Sequence, residues 1–459
     1  MQPPGPTRVL AEFASSLTLS AIPLAVVAHA KLCLLDGLAC ALYGAQLEWG
    51  RIGADVASAL APGGDATLWG HHNKAGAAAA ALANGTALHG FEIDDVHVRA
   101  MLHPGAVVLP AVLALAETEG ATGAQLLTAI IAGYEAGIRT GISTGIPHGA
   151  RGYHATGTVG CVAAAAGAAN LLGLDADRAA NALGIGATQA AGLYCARAGA
   201  MTKRMHAGHA AQAGVIAGLL ARGGFTGSQD VLEAPFGGFM STLTEDADLA
   251  QLTRGLGETW ETALVGFKIH AACASAHTII DGLEELMRQG LTADNFDNVT
   301  IHMTGKAARN VGWPYRPNGV VAAQMNGFYA AASQLRDGQV FAEQYAPEKL
   351  ADPATLVLME RIHIVHDPAL DAGGTAKRHA SRVEASLKSG EQLSVYTEQR
   401  RGSSHRPLTQ DELLRKFRGL TAQAMSGAEI DELQRLVLSI ETLPDLTAIS
   451  RLLQRPKES

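Results

Sequence analysis

Four stretches of this chain gather titratable side chains inside otherwise apolar sequence. The first runs His89-Gly90-Phe91-Glu92-Ile93-Asp94-Asp95-Val96-His97 and resumes at His103-Pro104-Gly105. Such a density of acids and histidines suits two chemistries: ligation of a metal ion, or proton transfer by imidazoles that carboxylates orient. A structural use competes with both, because acids before a helix also cap it. No H-E-x-x-H or comparable ligand spacing is present, which weakens the metal alternative. The second stretch is Arg151-Gly152-Tyr153-His154-Ala155-Thr156-Gly157-Thr158-Val159-Gly160, whose glycines match no phosphate-loop spacing. A helix beginning after His154 would offer unpaired N–H groups to a carboxylate, or the glycines serve close helix packing around an interior histidine.

The third stretch, Met201-Thr202-Lys203-Arg204-Met205-His206-Ala207-Gly208-His209, is the densest basic patch in the apolar half. Two adjacent cations beside histidines suit an anionic substrate, while a solvated helix face is the plainer alternative. Ala and Gly runs on both sides favour burial, where an unpaired lysine is costly. The fourth, Lys268-Ile269-His270-Ala271-Ala272-Cys273-Ala274-Ser275-Ala276-His277, contains one thiol with no acid or base at a helpful spacing, so Cys273 reads as a small core residue.

The elements that must position these residues are mostly helices. From Pro23 to about Val265 the pattern is helix after helix, punctuated at Gly63-Gly64, Gly145-Ile146-Pro147, Gly223-Gly224 and Pro235 to Gly238. Period-two alternation appears later, at Val299 to Met303, Arg361 to His366 and Val383 to Leu387, the last forming a hairpin with Leu393 to Thr397. Helix returns at Thr409, where Thr409 and Glu412 have the spacing of a capping box. The expected architecture is mainly α: a helical domain from residues 1–265 and 402–459, interrupted by an α+β insert at 266–401.

Composition excludes several classes. With 48% hydrophobic, 17% charged and 5% aromatic residues and 52 glycines lacking any three-residue period, the chain is neither disordered nor collagenous. A net charge of −8 with no basic stripe disfavours nucleic acid as a partner. Five scattered cysteines without C-x-x-C spacing imply neither a disulfide framework nor a zinc ribbon, and read as buried small residues of a cytoplasmic protein. Leu17 to Ala30 ends like a signal-peptide cleavage site, but Glu12, Pro23 and helical spacing through Asp36 favour a helix of the folded domain. No stretch reaches the about 18 to 20 uninterrupted apolar residues of a membrane span, so no membrane association is expected.

Taken in order, Phe91 to Asp95 with His103-Pro104, Gly152-Tyr153-His154, Lys203 to Gly208 and the 268–277 stretch resemble the signatures of the MmgE/PrpD family. Its members include 2-methylcitrate dehydratase, cis-aconitate decarboxylase and iminodisuccinate epimerase. The resemblance extends from Pro23-Leu24 to Glu441-Thr442-Leu443-Pro444-Asp445. It implies a lid-like character for the α+β insert, a homodimer, no cofactor and no metal. The family's acidic motif, often D-F-D-D, is here Glu92-Ile93-Asp94-Asp95, one methylene longer at its first acid. His103, His154, Lys203 and His277 fall on positions the family uses, and Tyr329 in Asn326-Gly327-Phe328-Tyr329-Ala330 corresponds to an active-site tyrosine.

On that resemblance the expected substrate is a small di- or tricarboxylate, worked on by proton transfer next to a carboxylate. His103 and His154 are the expected proton carriers, with Tyr329 and His277 relaying a proton from the insert. Lys203 is expected to stabilise enolate-like charge, and Glu92, Asp94, Lys203, Arg204 and Lys268 to form the binding surface. Dehydration is the first expectation, epimerisation the second and decarboxylation the third. A catalytically silent metabolite-binding homologue is the alternative of another class.

Overall fold

The computed structural model describes residues 4–374 and 377–455. Backbone contacts divide the chain into two compact units, one of Met1–Tyr194, Thr202–Gly266 and Thr409–Ser459, the other of Cys195–Met201 and Phe267–Leu408. Helix dominates throughout, as the apolar periodicity requires.

The first unit is a stack of apolar helices: α1 (Leu24–Ala45), α2 (Ala77–Leu88), α3 (Pro104–Glu119), α4 (Gly123–Ala150), α5 (Ala155–Leu171) and α6 (Thr202–Arg222). Small side chains set their separation. Ala163, Ala164, Ala165 and Ala166 of α5 are all fully buried. A Cβ at Gly137 of α4 would sit 2.3 Å from the Ala163 methyl, so the two helices pass at a distance only glycine allows. At Gly145, φ is 62° and ψ −166°, non-helical values that break α4 ahead of Pro147, so the punctuation expected there divides it into two helical segments. Helix α1 is long and apolar enough to cross a membrane, but 67% of its most apolar window is buried inside the fold. Its Asp36 pairs with Lys416 at 2.5 Å and its Lys31 with Glu441 at 2.5 Å.

A short antiparallel ribbon, Pro62–Thr67 with Lys74–Ala75, also belongs to this unit. Sequence periodicity missed it, because Gly63-Gly64 reads as a turn and the second strand is too short to alternate. A further correction concerns the cysteines: all five are free thiols, and four are buried as expected, but Cys195 is exposed.

The second unit carries a four-stranded sheet of β1 (Phe296–Met303), β2 (Ile362–His366), β3 (Ser381–Leu387) and β4 (Gln392–Thr397), in the order β2-β1-β3-β4. β1 and β2 are parallel across a helical crossover, and the other pairs are antiparallel. The hairpin forms with Val383 opposite Val395. The buried face includes Val299, Ile301, Val383 and Ala385, and strands β3 and β4 pack on α7 (Ala274–Arg288), which also contacts α8 (Gly327–Asp337).

Candidate functional site

The site in the first unit is made where three helix ends meet. Chain leaving α2 enters a single 3-10 turn, His89–Phe91, and then Glu92 adopts the left-handed conformation, with φ 56° and ψ 29°. A glutamate pays about 1 kcal/mol or more for that conformation, and such outliers gather where side-chain aim matters more than local comfort. Here it aims the carboxylate at the first turn of α6. Lys203 Nζ and Arg204 Nη1 both donate to Glu92 Oε1, the latter at 2.5 Å, and Arg204 also donates to the His89 carbonyl at 3.2 Å. All three side chains are at most 3% exposed. The approach depends on Gly208, where a Cβ would lie 2.1 Å from the Leu82 carbonyl oxygen of α2.

Asp94 and Asp95 divide the work of the acidic motif. Asp94 Oδ2 receives His89 Nδ1 at 2.7 Å and faces His103 Nδ1 at 3.2 Å. Burial would raise its pKa, but His103 and His89 together hold it well below the usual range. Asp95 caps α3, accepting the Gly105 amide at 3.0 Å and the Tyr134 hydroxyl at 2.9 Å. Burial, and then the neighbouring charges of Asp94 and Asp36, push its pKa up to about 8. Lys416 closes the cluster from below, pairing with Asp36 and donating to the Ile93 carbonyl at 2.6 Å.

Four imidazoles belong to this cluster, linked through His89, whose Nε2 lies 3.5 Å from Lys203 Nζ and whose ring centre is 4.9 Å from that of His103 and 5.6 Å from that of His154. His103, ahead of α3, donates Nδ1–H to the Asp95 carbonyl at 2.7 Å, which leaves Nε2 as its working nitrogen. His154 caps α5 by position and shares a proton with His206 across 3.1 Å between their Nδ1 atoms. Its ring stacks on Tyr194 at 5.5 Å and on His89 at 5.6 Å. Burial, followed by the charge of Lys203, holds His154 well below the ordinary imidazole range, and the same causes bring His206 to about 4. Burial likewise brings His89 down to about 3. The rings of His89, His154 and His206 are therefore neutral at rest and able to accept a hydrogen bond.

His89, Asp94 and His103 have one ligand atom each within 4.8 Å of the others, and among the described residues they are the group that could hold a metal ion. Two of those atoms are already joined by the 2.7 Å hydrogen bond, so proton sharing accounts for their closeness.

The structure thus brings Glu92, Asp94, His103, His154, Lys203 and Arg204 together. His97 goes elsewhere, to Glu261 at 3.1 Å. Lys268, His277 and Tyr329 lie in the second unit. Lys268 and His277 are fully buried, and His277 Nε2 meets the Ala272 carbonyl at 3.2 Å. Tyr329 donates its hydroxyl to the Gln344 carbonyl at 2.5 Å within a stack of Tyr315 and Tyr345, and burial raises its pKa. Sequence reasoning did not assign roles to His89, Asp95, His206, Tyr134 and Lys416. Of these, His206 was findable, since it lies three residues after Lys203 and so on the same helix face.

Comparison with known proteins agrees across the length of the chain. A model of the MmgE/PrpD N-terminal domain matches residues 8–252, and one of the MmgE/PrpD C-terminal domain matches residues 270–442. A cis-aconitate decarboxylase-like protein of Aspergillus oryzae is 32% identical over 97% of this chain and 97% of its own length. A cis-aconitate decarboxylase of Aspergillus terreus is 32% identical over 99% and 97%. The human cis-aconitate decarboxylase is 27% identical over 94% and 91%.

Proposed function

This chain belongs to the MmgE/PrpD family, and from that premise we propose that it is a lyase removing CO₂ from a small unsaturated tricarboxylate of the cis-aconitate kind. The names of its relatives move decarboxylation ahead of the dehydration that the motifs alone favoured. The observation that supports the reading is the gathering of His103, His154 and Lys203 around the His89 ring.

Decarboxylation of such an acid breaks a carbon–carbon bond and leaves its electron pair on an allylic carbon, delocalised toward a neighbouring carboxylate. One proton must then be added at carbon, so that tricarboxylate and proton become dicarboxylate and CO₂. His103 would deliver the proton, since its Nδ1 is held by the Asp95 carbonyl and lies 3.2 Å from Asp94 while Nε2 stays available. Lys203 supplies fixed positive charge for the electron-rich transition state. His154, held neutral, accepts a hydrogen bond or positions a substrate carboxyl. The same neutral His154–His206 pair would serve as a base, which keeps dehydration as the second reading.

The test is incubation of the purified protein with cis-aconitate in D₂O, followed by NMR and CO₂ measurement. The reading expects equimolar CO₂ and one deuterium at carbon in the dicarboxylate product. Water loss from 2-methylcitrate without CO₂ would replace it with dehydration, and α-carbon exchange without net loss with epimerisation. Binding of acids with no turnover of any would leave the silent homologue.

A further inference from the structure

His103 hangs from a loop of the first unit that is tied to itself. Between Asp95 and Gly105 the main chain bridges across, with the His97 amide donating to the Leu102 carbonyl at 2.9 Å. The Asp95 carboxyl takes the Gly105 amide at 3.0 Å, and the Asp95 carbonyl takes Nδ1–H of His103 at 2.7 Å. One residue thus holds the far end of the loop with its side chain and the imidazole with its main chain. Both acceptors hang from one Cα, so a carboxyl that shifts carries the carbonyl with it.

The imidazole has a rival partner. Asp94 Oδ2 lies 3.2 Å from the same Nδ1, and a carboxylate accepts a hydrogen bond more strongly than a neutral carbonyl does. The shorter contact is nevertheless the one to the carbonyl, which places the burden on whatever fixes Asp95. Helix α4 supplies that support. Its Tyr134, fully buried, joins its hydroxyl to Asp95 Oδ2 at 2.9 Å. A phenol both donates and accepts, so this bond survives whether the acid is ionised or carries the proton that burial favours. Two turns further along the same face, Gly141 lets α4 run against the tip of the loop, where a Cβ would lie 2.7 Å from the Ala100 carbonyl oxygen. Lys416 steadies the approach to the loop through the Ile93 carbonyl at 2.6 Å, and the Gly266 carbonyl accepts the Val96 amide at 2.8 Å. Of these supports, Tyr134 is the one that bears on the Asp95 carboxyl.

We propose that Tyr134 is a positioning residue for the proton transfer: through the Asp95 carboxyl it sets the Asp95 carbonyl against Nδ1 of His103, which keeps the ring from turning to Asp94 and leaves Nε2 presented for the proton. The inference rests on the reading of His103 as the proton donor and adds to it what holds the ring.

The test compares the wild type with Tyr134→Phe, which fills the same space and removes the hydroxyl alone. Turnover of cis-aconitate gives kcat and KM. Proton NMR of protein with isotope-labelled histidine rings reads the Nδ1–H resonance of His103, assigned by its disappearance in His103→Gln. Loss of one buried hydrogen bond behind the proton donor should lower kcat about three- to tenfold and leave KM within about twofold. The Nδ1–H resonance should move downfield as the ring leans towards the Asp94 carboxylate. A folded Tyr134→Phe in which either kcat or that resonance matches the wild type overturns the proposal, whatever happens to its melting temperature. A wild type that turns over no acid removes the proposed reaction instead, and the resonance then decides the positioning by itself. Should Tyr134→Phe fail to fold, Asp95→Asn and Asp95→Ala replace it. Asparagine still accepts from the Gly105 amide and donates to the phenol oxygen, and should keep the resonance in place; alanine does neither and should move it. Equal resonances in those two variants are as damaging.

Discussion

Replacing Glu92 by glutamine changes one oxygen for a nitrogen in a buried site and removes the charge that Lys203 and Arg204 share. Both cations are within 3% of complete burial, so neither can turn to solvent for compensation. Breaking a buried ion pair from one side costs about 3–5 kcal/mol, because the remaining charge stays desolvated. Scaling the entropy of unfolding to a unit of this size, about 1.5–2 °C of melting temperature corresponds to each kcal/mol, which gives a fall of about 5–10 °C. Glu92→Asp is the control. It keeps the charge and suits the left-handed backbone better, but withdraws the carboxylate by one methylene, and should lose less than half as much. Scanning calorimetry at pH 7 reads both, and the loss should be nearly insensitive to added salt because the pair is buried. A Glu92→Gln melting temperature within about 1 °C of the wild type would refute the idea that this carboxylate holds the two cations.

His154→Ala and Lys203→Ala should each lower kcat by at least about 10²-fold in proteins with native circular dichroism, the scale of a lost proton-transfer or charge-stabilising group. Near-wild-type rates on the true substrate would remove them from the mechanism. Asp95, raised to about 8, binds a proton in the fold that the unfolded chain releases near pH 4, so its contribution to stability falls as pH rises through that window, by about 1.4 kcal/mol per unit. The depressed histidines act in the opposite direction but only below about pH 6.5, where the unfolded chain takes up their protons. Between pH 6.5 and 8 the wild type should therefore lose stability and Asp95→Asn should lose less; parallel curves would show that Asp95 is not the group responsible. Gly208→Ala should prevent α2 and α6 from closing, and soluble protein with an unchanged melting temperature would contradict the packing described at that crossing.

Much of this was legible before the structure, and the reasons are physical. Helices announce themselves by apolar spacing and caps, and the Thr409–Glu412 box forms as its spacing requires, with the Glu412 amide 3.2 Å from Thr409 Oγ1. The strands at 299–303 and 383–387 were readable because one face is buried and the other is not. The ribbon at 62–75 was not, since glycines carry no side chain to alternate. Within the site, residue types marked the stretches that hold Lys203, His103 and His154, and the resemblance to the MmgE/PrpD family singled those residues out. Neither could show that Tyr134 reaches Asp95 from 39 positions away, or that Lys416 reaches Ile93 from 323, because such pairings are decided by helix packing alone. The positive φ of Glu92 was equally silent, a backbone state that glutamate seldom adopts.

The alanine stripe of α5 against the glycines of α4 bears on catalysis as well as on packing. Alanine and glycine surrender no rotamer freedom when buried, so a frame made of them is ordered at little side-chain entropy cost and has few alternative arrangements to visit. His154 stands at the head of that stripe, and Tyr134 of α4 fixes Asp95 across it. The imidazoles and carboxylates are thereby held in place before any acid arrives, and the reorganisation that a polar site in water would undergo with each turnover is largely absent. A substitution such as Ala163→Val, at a crossing with no room for added bulk, should accordingly lower the melting temperature and the turnover rate together.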